Sequence, residues 1–262
     1  MIDFSDWPCD TVAAGSLSGF SFGDTSAVFE LASVTKLLSA YATLVAVEEG
    51  VFSLSTPLGP EDSTVRHLLA HASGLSHDDL TPQKPVGERR IYSSSAYALL
   101  GQEIERLTDT PFGQSAREAV FEPLGMEHTE IYGNPGFGGR STVEDLLRFS
   151  EEVISPQVLH PSTVKEATTV QFPDLNGIVP GYGNYKPCPW GLGFEIKGEK
   201  NPHWTGPSMP ADTVGHFGQA GTFWWVHRVS GRGLVVLTDR PFGDWAKPLW
   251  MEANESFWLA NS

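Results

Sequence analysis

The stretch Leu31-Ala32-Ser33-Val34-Thr35-Lys36-Leu37-Leu38 determines how the rest of the chain is interpreted. It places the hydroxyl of Ser33 and the amine of Lys36 three residues apart in an otherwise apolar segment. In a helix, this spacing puts both side chains on one face, one turn apart. No charged residue follows Lys36 until Glu48, and Gly50 stands where a helix C-cap is expected. The pattern therefore predicts a buried helix.

A lysine buried in such a helix is a candidate general base, because desolvation lowers the pKa of its ammonium toward neutrality. A serine within reach of that amine, at a helix N-terminus, is a candidate nucleophile. An ordinary alternative is that Ser33 is an N-cap and the amine of Lys36 extends to water. The same spacing recurs in Ser162-Thr163-Val164-Lys165, where polar surroundings indicate an ordinary capped helix start. The apolar context and the partners found downstream separate the two segments.

Composition limits the classes of protein and of partner. With 262 residues, 40% of them hydrophobic, the chain can form one large domain or two interleaved ones. A formal net charge of −15 repels phosphate backbones and anionic lipids, which argues against nucleic-acid and membrane partners. The acidic N-terminal residues and the lack of a long apolar run predict a soluble, cytoplasmic chain.

Motifs for cofactors and metals are missing from the sequence. It contains no Gly-rich phosphate loop and no Cys or His cluster at zinc spacing. Cys9 and Cys188 are too few for a disulfide framework, and His67 and His71, four residues apart, have no third ligand on their face. We therefore predict neither a cofactor nor a metal, and we interpret the two histidines as packing residues.

Hydrophobic periodicity predicts strands at both ends of the chain and helices between them. The predicted strands are 11–14, 27–31, 191–196, 222–229 and 233–239, the helices start near 33, 64, 97, 112, 141 and 247, and 171–190 is a surface loop. This order predicts an α+β fold, with an antiparallel sheet domain from 1–50 and 186–262 and a mostly helical inserted subdomain over 51–185. The crevice between the two parts is the expected place for a site.

Three elements stand in a distinctive order: Ser33-x-x-Lys36, then Tyr92-Ser93-Ser94, then His216-Phe217-Gly218. This order resembles the serine β-lactamase and penicillin-binding protein superfamily of β-lactamase-like serine hydrolases. The match is closest to the branch of class C β-lactamases, D-alanyl-D-alanine carboxypeptidases and esterases, in which a tyrosine begins the second element. Supporting stretches are 67–75, 92–126, 141–149, 190–194 and 215–239.

The resemblance implies a role for each residue that carries it. Ser33 is the nucleophile that forms an acyl-enzyme, and Lys36 is the base for its hydroxyl. Tyr92 shares the proton transfer and protonates the leaving group. The backbone N–H groups of Ser33 and Gln219 form the oxyanion hole. The implied substrate-binding residues are Ser94, His216, Phe217 and Gly218.

Departures from the family pattern bear on the substrate. Ser94 stands where many relatives have asparagine, His216 replaces the lysine of β-lactamases, and Phe217 replaces a threonine that helps to hold the substrate carboxylate. A mostly neutral imidazole and a phenyl ring are poorer anion receptors than an ammonium and a hydroxyl. The sequence thus favours a serine hydrolase of a small ester or amide, with esters preferred. The alternatives are a β-lactamase or D-alanyl-D-alanine carboxypeptidase, and a non-catalytic binding module.

Overall fold

The computed structural model describes residues 3–260 and contains a six-stranded antiparallel sheet. Two of its strands come from the N-terminal part of the chain and four from the C-terminal part. They are β1 (Val12–Ser16), β2 (Ser21–Phe22), β8 (Glu195–Ile196), β9 (Val214–Gly218), β10 (Thr222–His227) and β11 (Arg232–Thr238). Their order in the sheet is β2-β1-β11-β10-β9-β8. The predicted α+β class is confirmed.

Both faces of this sheet are covered, because neighbouring side chains along a strand point to opposite faces. The helices are α1 (Thr35–Glu48), α2 (Val65–Leu69), α3 (Ser94–Thr108), α4 (Phe112–Ala116), α5 (Val143–Ile154), α6 (Pro161–Ala167) and α7 (Ala246–Ala260). On β10, Trp224 belongs to the core beneath α1, whereas Phe223 and Trp225 belong to the core beneath α7.

Two short helical turns adjoin these helices. A 3-10 turn, Ala32–Val34, leads into α1, and a π-helical turn, Arg117–Phe121, follows α4. α5 lies within the segment predicted as the inserted subdomain, yet it packs on the sheet, where Trp224 Nε1 donates to Ser150 Oγ at 2.8 Å. The predicted boundaries between the two parts stay predictions.

Three predicted elements differ from the structure. The strand predicted over 27–31 is only β3 (Phe29–Glu30), which pairs in a separate three-stranded sheet with β4 (Glu130–Ile131) and β5 (Gly139–Ser141). The strand predicted over 191–196 is reduced to β8, because Gly193 has a φ of +95° and interrupts the extended backbone. The predicted loop 171–190 contains a hairpin of β6 (Gly177–Val179) and β7 (Gly183–Tyr185).

The two histidines of the 67–71 segment have separate surroundings. His67 Nδ1 accepts the backbone N–H of Thr64 at 3.2 Å, at the start of α2. His71 is fully buried and has a φ of +55°, a left-handed conformation that ends the helical path after α2. Within residues 3–260, no three His, Cys, Asp or Glu side chains form a group that could hold a metal ion. Among the same residues, no helix is both long enough and apolar enough to cross a membrane.

Candidate active site

Ser33 lies in the 3-10 turn that opens α1, and the sheet fixes the position of this turn. Thr222 Oγ1 donates to the carbonyl of Leu31 at 3.0 Å. Gly218 lies so close that a Cβ atom there would be 2.2 Å from the same carbonyl oxygen, so no larger residue fits without a shift. Ala32, directly before the serine, has a φ of +44°. A non-glycine residue in this region is strained and is held there by its surroundings.

The side chain of Lys36 is fully buried, and its amine lies among neutral partners. Nζ donates to Gly136 O at 2.7 Å, to Ser94 Oγ at 2.9 Å and to Ser33 Oγ at 3.4 Å. It also lies 4.6 Å from the centroid of the Tyr92 ring. Burial lowers the pKa of Lys36 to about 7. A large fraction of this amine is therefore unprotonated at neutral pH and can accept a proton.

Tyr92 and His216 form the second part of the site. The Tyr92 hydroxyl lies 3.4 Å from His216 Nε2, and His216 Nδ1 lies 2.6 Å from Phe217 O, to which it must donate. Burial, with a smaller effect of nearby Lys36, lowers the pKa of His216 to about 4, so the ring is neutral and Nε2 is an acceptor. Burial raises the pKa of the Tyr92 phenol, and hydrogen bonding to Ser33 offsets this only in part. The Tyr92 phenol is therefore protonated at neutral pH and can donate a proton.

Ser94, Phe217 and Gly218 occupy different places around this centre. Ser94 is the first residue of α3, after the N-cap Ser93, and its hydroxyl faces Lys36. Phe217 lines the cavity described next, whereas Gly218 supports the turn at Leu31. The pairing of β9 with β8 stops at Gly215, so His216 to Gly218 lie beyond the end of that short strand. Direct contacts of Ser94 and Gly218 with a substrate stay predictions.

A cavity of about 320 Å³ opens over Ser33. Ser33 and Gln219, the two residues predicted to form the oxyanion hole, both line it. The rest of its lining is mostly aromatic or apolar: His77, Tyr92, Val179, Pro180, Trp190, His216 and Phe217. A larger open depression of about 760 Å³ lies around Arg117 and Glu130 and contains none of the predicted site residues. The chemistry of the side chains therefore favours the smaller cavity as the substrate site.

The family model described as Beta-lactamase matches residues 23–253, which is most of the chain. This chain belongs to the β-lactamase family. The predicted resemblance is thereby confirmed. A solved β-lactamase structure from Mycobacterium bovis is 47% identical, with 97% of this chain and 96% of that chain covered and a TM-score of 0.95.

More distant relatives within the family carry several names. A curated β-lactamase from Yersinia enterocolitica is 24% identical over 50% of this chain and 48% of its own length. The esterase EstB from Burkholderia gladioli is 23% identical over 85% of this chain and 80% of its own length. This β-lactamase-family chain spans about half or less of the length of the first curated relatives that it matches.

Sequence reasoning missed several residues of this family member's site. The carbonyl of Gly136 accepts from Lys36, and the β6-β7 hairpin contributes Val179 and Pro180 to the cavity wall. His71 packs against Tyr92 at a centroid distance of 4.7 Å, and its Nδ1 accepts the N–H of Ser93 at 3.1 Å. For Gly136, the glycine-rich run 133–139 was the only available signal. A backbone carbonyl has no side-chain signature, so its role is visible only in the fold.

Behind the cavity wall, this β-lactamase-family fold contains a buried ionic network. Glu195 on β8 contacts Lys200 Nζ at 3.1 Å and His203 Nε2 at 2.9 Å, and it accepts from Trp204 Nε1 at 2.8 Å. Burial acts to raise the pKa of Glu195, but Lys200 and His203 outweigh it and hold that pKa far below its usual range. The Lys200 amine lies 5.7 Å from the ring centroid of Trp190, a wall residue. The network thus supports this wall from behind.

Proposed function

We propose that this protein is a serine hydrolase that cleaves small esters, and less readily amides, through an acyl-enzyme on Ser33. One observation carries the proposal: the Ser33 hydroxyl, a buried lysine amine with a pKa near 7 and a protonated Tyr92 meet beside one mostly apolar cavity. Nucleophilic acyl transfer needs a nucleophile, a base and an acid within reach of one another. The non-catalytic alternative does not account for a lysine kept near neutrality beside a serine.

Each group has one task in the proposed reaction. Lys36 takes the proton of the Ser33 hydroxyl as Oγ attacks the ester carbonyl, and the N–H groups of Ser33 and Gln219 stabilise the oxyanion. Tyr92 then donates its proton to the departing alkoxide, and the Lys36 ammonium restores the proton of Tyr92. Water next attacks the acyl group on Ser33. Its proton is transferred through the same groups back to the serine, which completes the cycle.

The chemistry of the cavity supports esters over β-lactams. The carboxylate of a β-lactam lies two bonds from the scissile nitrogen and needs cationic or hydroxyl partners close to Ser33, where this wall offers a neutral His216 and the phenyl ring of Phe217. β-Lactam hydrolysis is the second candidate function. It is favoured by one observation, the 47% identity to the Mycobacterium bovis β-lactamase.

The experiment that tests the proposal compares hydrolysis of p-nitrophenyl butyrate with that of a chromogenic cephalosporin, and records the intact mass after each exposure. We expect rapid ester turnover that is abolished in Ser33→Ala. The matched control is Ser162→Ala, which removes the exposed serine of the other S-x-x-K segment and leaves the activity intact.

Three outcomes would contradict the ester proposal. Cephalosporin turnover faster than ester turnover, or a lasting cephalosporin adduct on Ser33, would assign the protein to the antibiotic-recognising branch. The absence of turnover and of any adduct with every substrate would favour the non-catalytic binding module.

A further inference from the structure

A second, shallower depression of about 380 Å³ adjoins the cavity over Ser33. The two spaces share His77, Tyr92 and Pro180 as walls, so a molecule bound in one can extend into the other. The remaining residues that line the depression are Gln83, Lys84, Arg89, Arg90, Ile91 and Ile178. None of the lining residues is an Asp or a Glu, although the chain has 32 acidic and only 17 basic residues.

Arg89 is the cation of this depression with the most unused hydrogen-bonding capacity. It is half-buried, and its Nη2 donates to Asn184 Oδ1 of the β6-β7 hairpin at 2.9 Å. A guanidinium has five N–H donors, and within residues 3–260 Arg89 forms no ion pair. The bond to Asn184 fixes the guanidinium plane without neutralising its charge. This arrangement suits a planar anion such as a carboxylate.

The other basic side chains around the depression already have partners. Lys84 forms an ion pair with Glu88 at 2.8 Å, and both side chains are about half exposed. His77 faces Asp78 at 3.4 Å, on the exposed side. Arg90 is buried and donates to the carbonyls of Cys188 at 2.6 Å and Gln171 at 2.7 Å, so it shapes the floor and does not face solvent. Arg89 is therefore the group that can recognise an anion here.

We propose that this depression binds a carboxylate carried by the alcohol part of the ester, with Arg89 as its receptor. The inference rests on the proposed function, in which Tyr92 protonates the departing oxygen. Because Tyr92 is a wall of both spaces, the alcohol part leaves the Ser33 cavity on the side of Tyr92 and enters the depression. Pro180 and Ile178 pack against its apolar portion, and Arg89 binds its carboxylate. The substrate class is an ester of a carboxylated alcohol or phenol.

The test compares 4-acetoxybenzoate with its methyl ester, methyl 4-acetoxybenzoate, which have the same acyl group and differ in the charge of the leaving group. The measured quantity is the ratio of the two kcat/KM values, charged over neutral, in wild type, Arg89→Gln and the control Arg106→Gln. Arg106 is an exposed arginine of α3 that pairs with Glu103. We expect Arg89→Gln to lower this ratio on the order of ten-fold or more, because a charge-assisted hydrogen bond is lost. Arg106→Gln leaves it unchanged.

The possible results separate this inference from the proposed function. An unchanged ratio in Arg89→Gln overturns the inference while the ester activity stands. A third ester, p-nitrophenyl hemisuccinate, carries its carboxylate on the acyl part. If Arg89→Gln lowers the kcat/KM of this ester alone, the placement of the alcohol part in the depression is overturned. If wild type hydrolyses no ester, the proposed function fails. Calorimetric binding of 4-hydroxybenzoate to wild type and Arg89→Gln then decides the inference, and equal affinities would overturn it.

Discussion

Replacing Lys36 with methionine separates the catalytic value of this residue from its cost in stability. Methionine has a similar length and no charge, so Lys36→Met keeps most of the packing of a side chain that is 0% exposed. The variant loses the proposed base for Ser33, and we expect ester turnover to fall to background. It also leaves Gly136 O and Ser94 Oγ without the donor that they have in the wild type, which costs about 1–3 kcal/mol for each group that stays unpaired.

Removing the buried charge of Lys36 also stabilises the native state, and the magnitude of this stabilisation follows from the pKa of Lys36. Burial lowers the pKa of Lys36 from 10.5 to about 7, a difference of about 3.5. Each pKa unit corresponds to about 1.36 kcal/mol, so burial of the ammonium costs the native state about 5 kcal/mol at or below pH 7. The unfolded chain binds the extra proton between these two pKa values, so the stability of the wild type rises with pH through that window. Between pH 7 and pH 9, the wild type should gain about 2–3 kcal/mol relative to Lys36→Met.

Urea unfolding followed by tryptophan fluorescence at several pH values between 7 and 9 measures this difference. The range stays below the region in which tyrosines titrate, and the comparison cancels groups that both proteins share. We expect the stability of the wild type relative to the variant to rise by about 2–3 kcal/mol from pH 7 to pH 9, whatever the offset that the lost hydrogen bonds set at pH 7. A difference in free energy of unfolding that stays constant over this range would refute a lysine held near neutrality, and with it the assignment of Lys36 as the base.

Three further predictions test other parts of the site. The kcat/KM for a neutral ester should rise with pH through about 7 as Lys36 loses its proton, and a flat profile from pH 5 to pH 9 would contradict this. Gly218→Ala should cost about 1–3 kcal/mol in urea unfolding and most of the activity, because its Cβ would meet Leu31 O at 2.2 Å; wild-type activity would show that the turn at Ser33 needs no such support. Glu195→Gln should lower the free energy of unfolding by about 3–5 kcal/mol at pH 7, since Lys200 loses its buried partner, and a loss below 1 kcal/mol would show that the network contributes little.

The sequence was informative where function depends on side chains in a fixed local spacing. Ser33 and Lys36 lie one helical turn apart, and this is why their proximity could be predicted before any tertiary contact was known. The β10-β11 hairpin and α7 were placed within a few residues, because alternating and helical periodicity are local signals. The strand predicted over 191–196 failed at Gly193, which has a φ of +95° and lies so close to α1 that a Cβ atom there would be 2.2 Å from the Cβ of Ala40.

The amino-acid sequence by itself determined the α+β class and the β-lactamase-family membership, and it predicted which side chains react. Only the tertiary structure decided the state of those groups. The pKa of Lys36 depends on burial among Gly136 O, Ser94 Oγ and the Tyr92 ring, which come from two segments far from Lys36 in the sequence. The placing of Arg89 beside the cavity likewise depends on a hairpin that the sequence pattern did not indicate. Desolvation and long-range contacts are properties of the folded chain, and no local pattern records them.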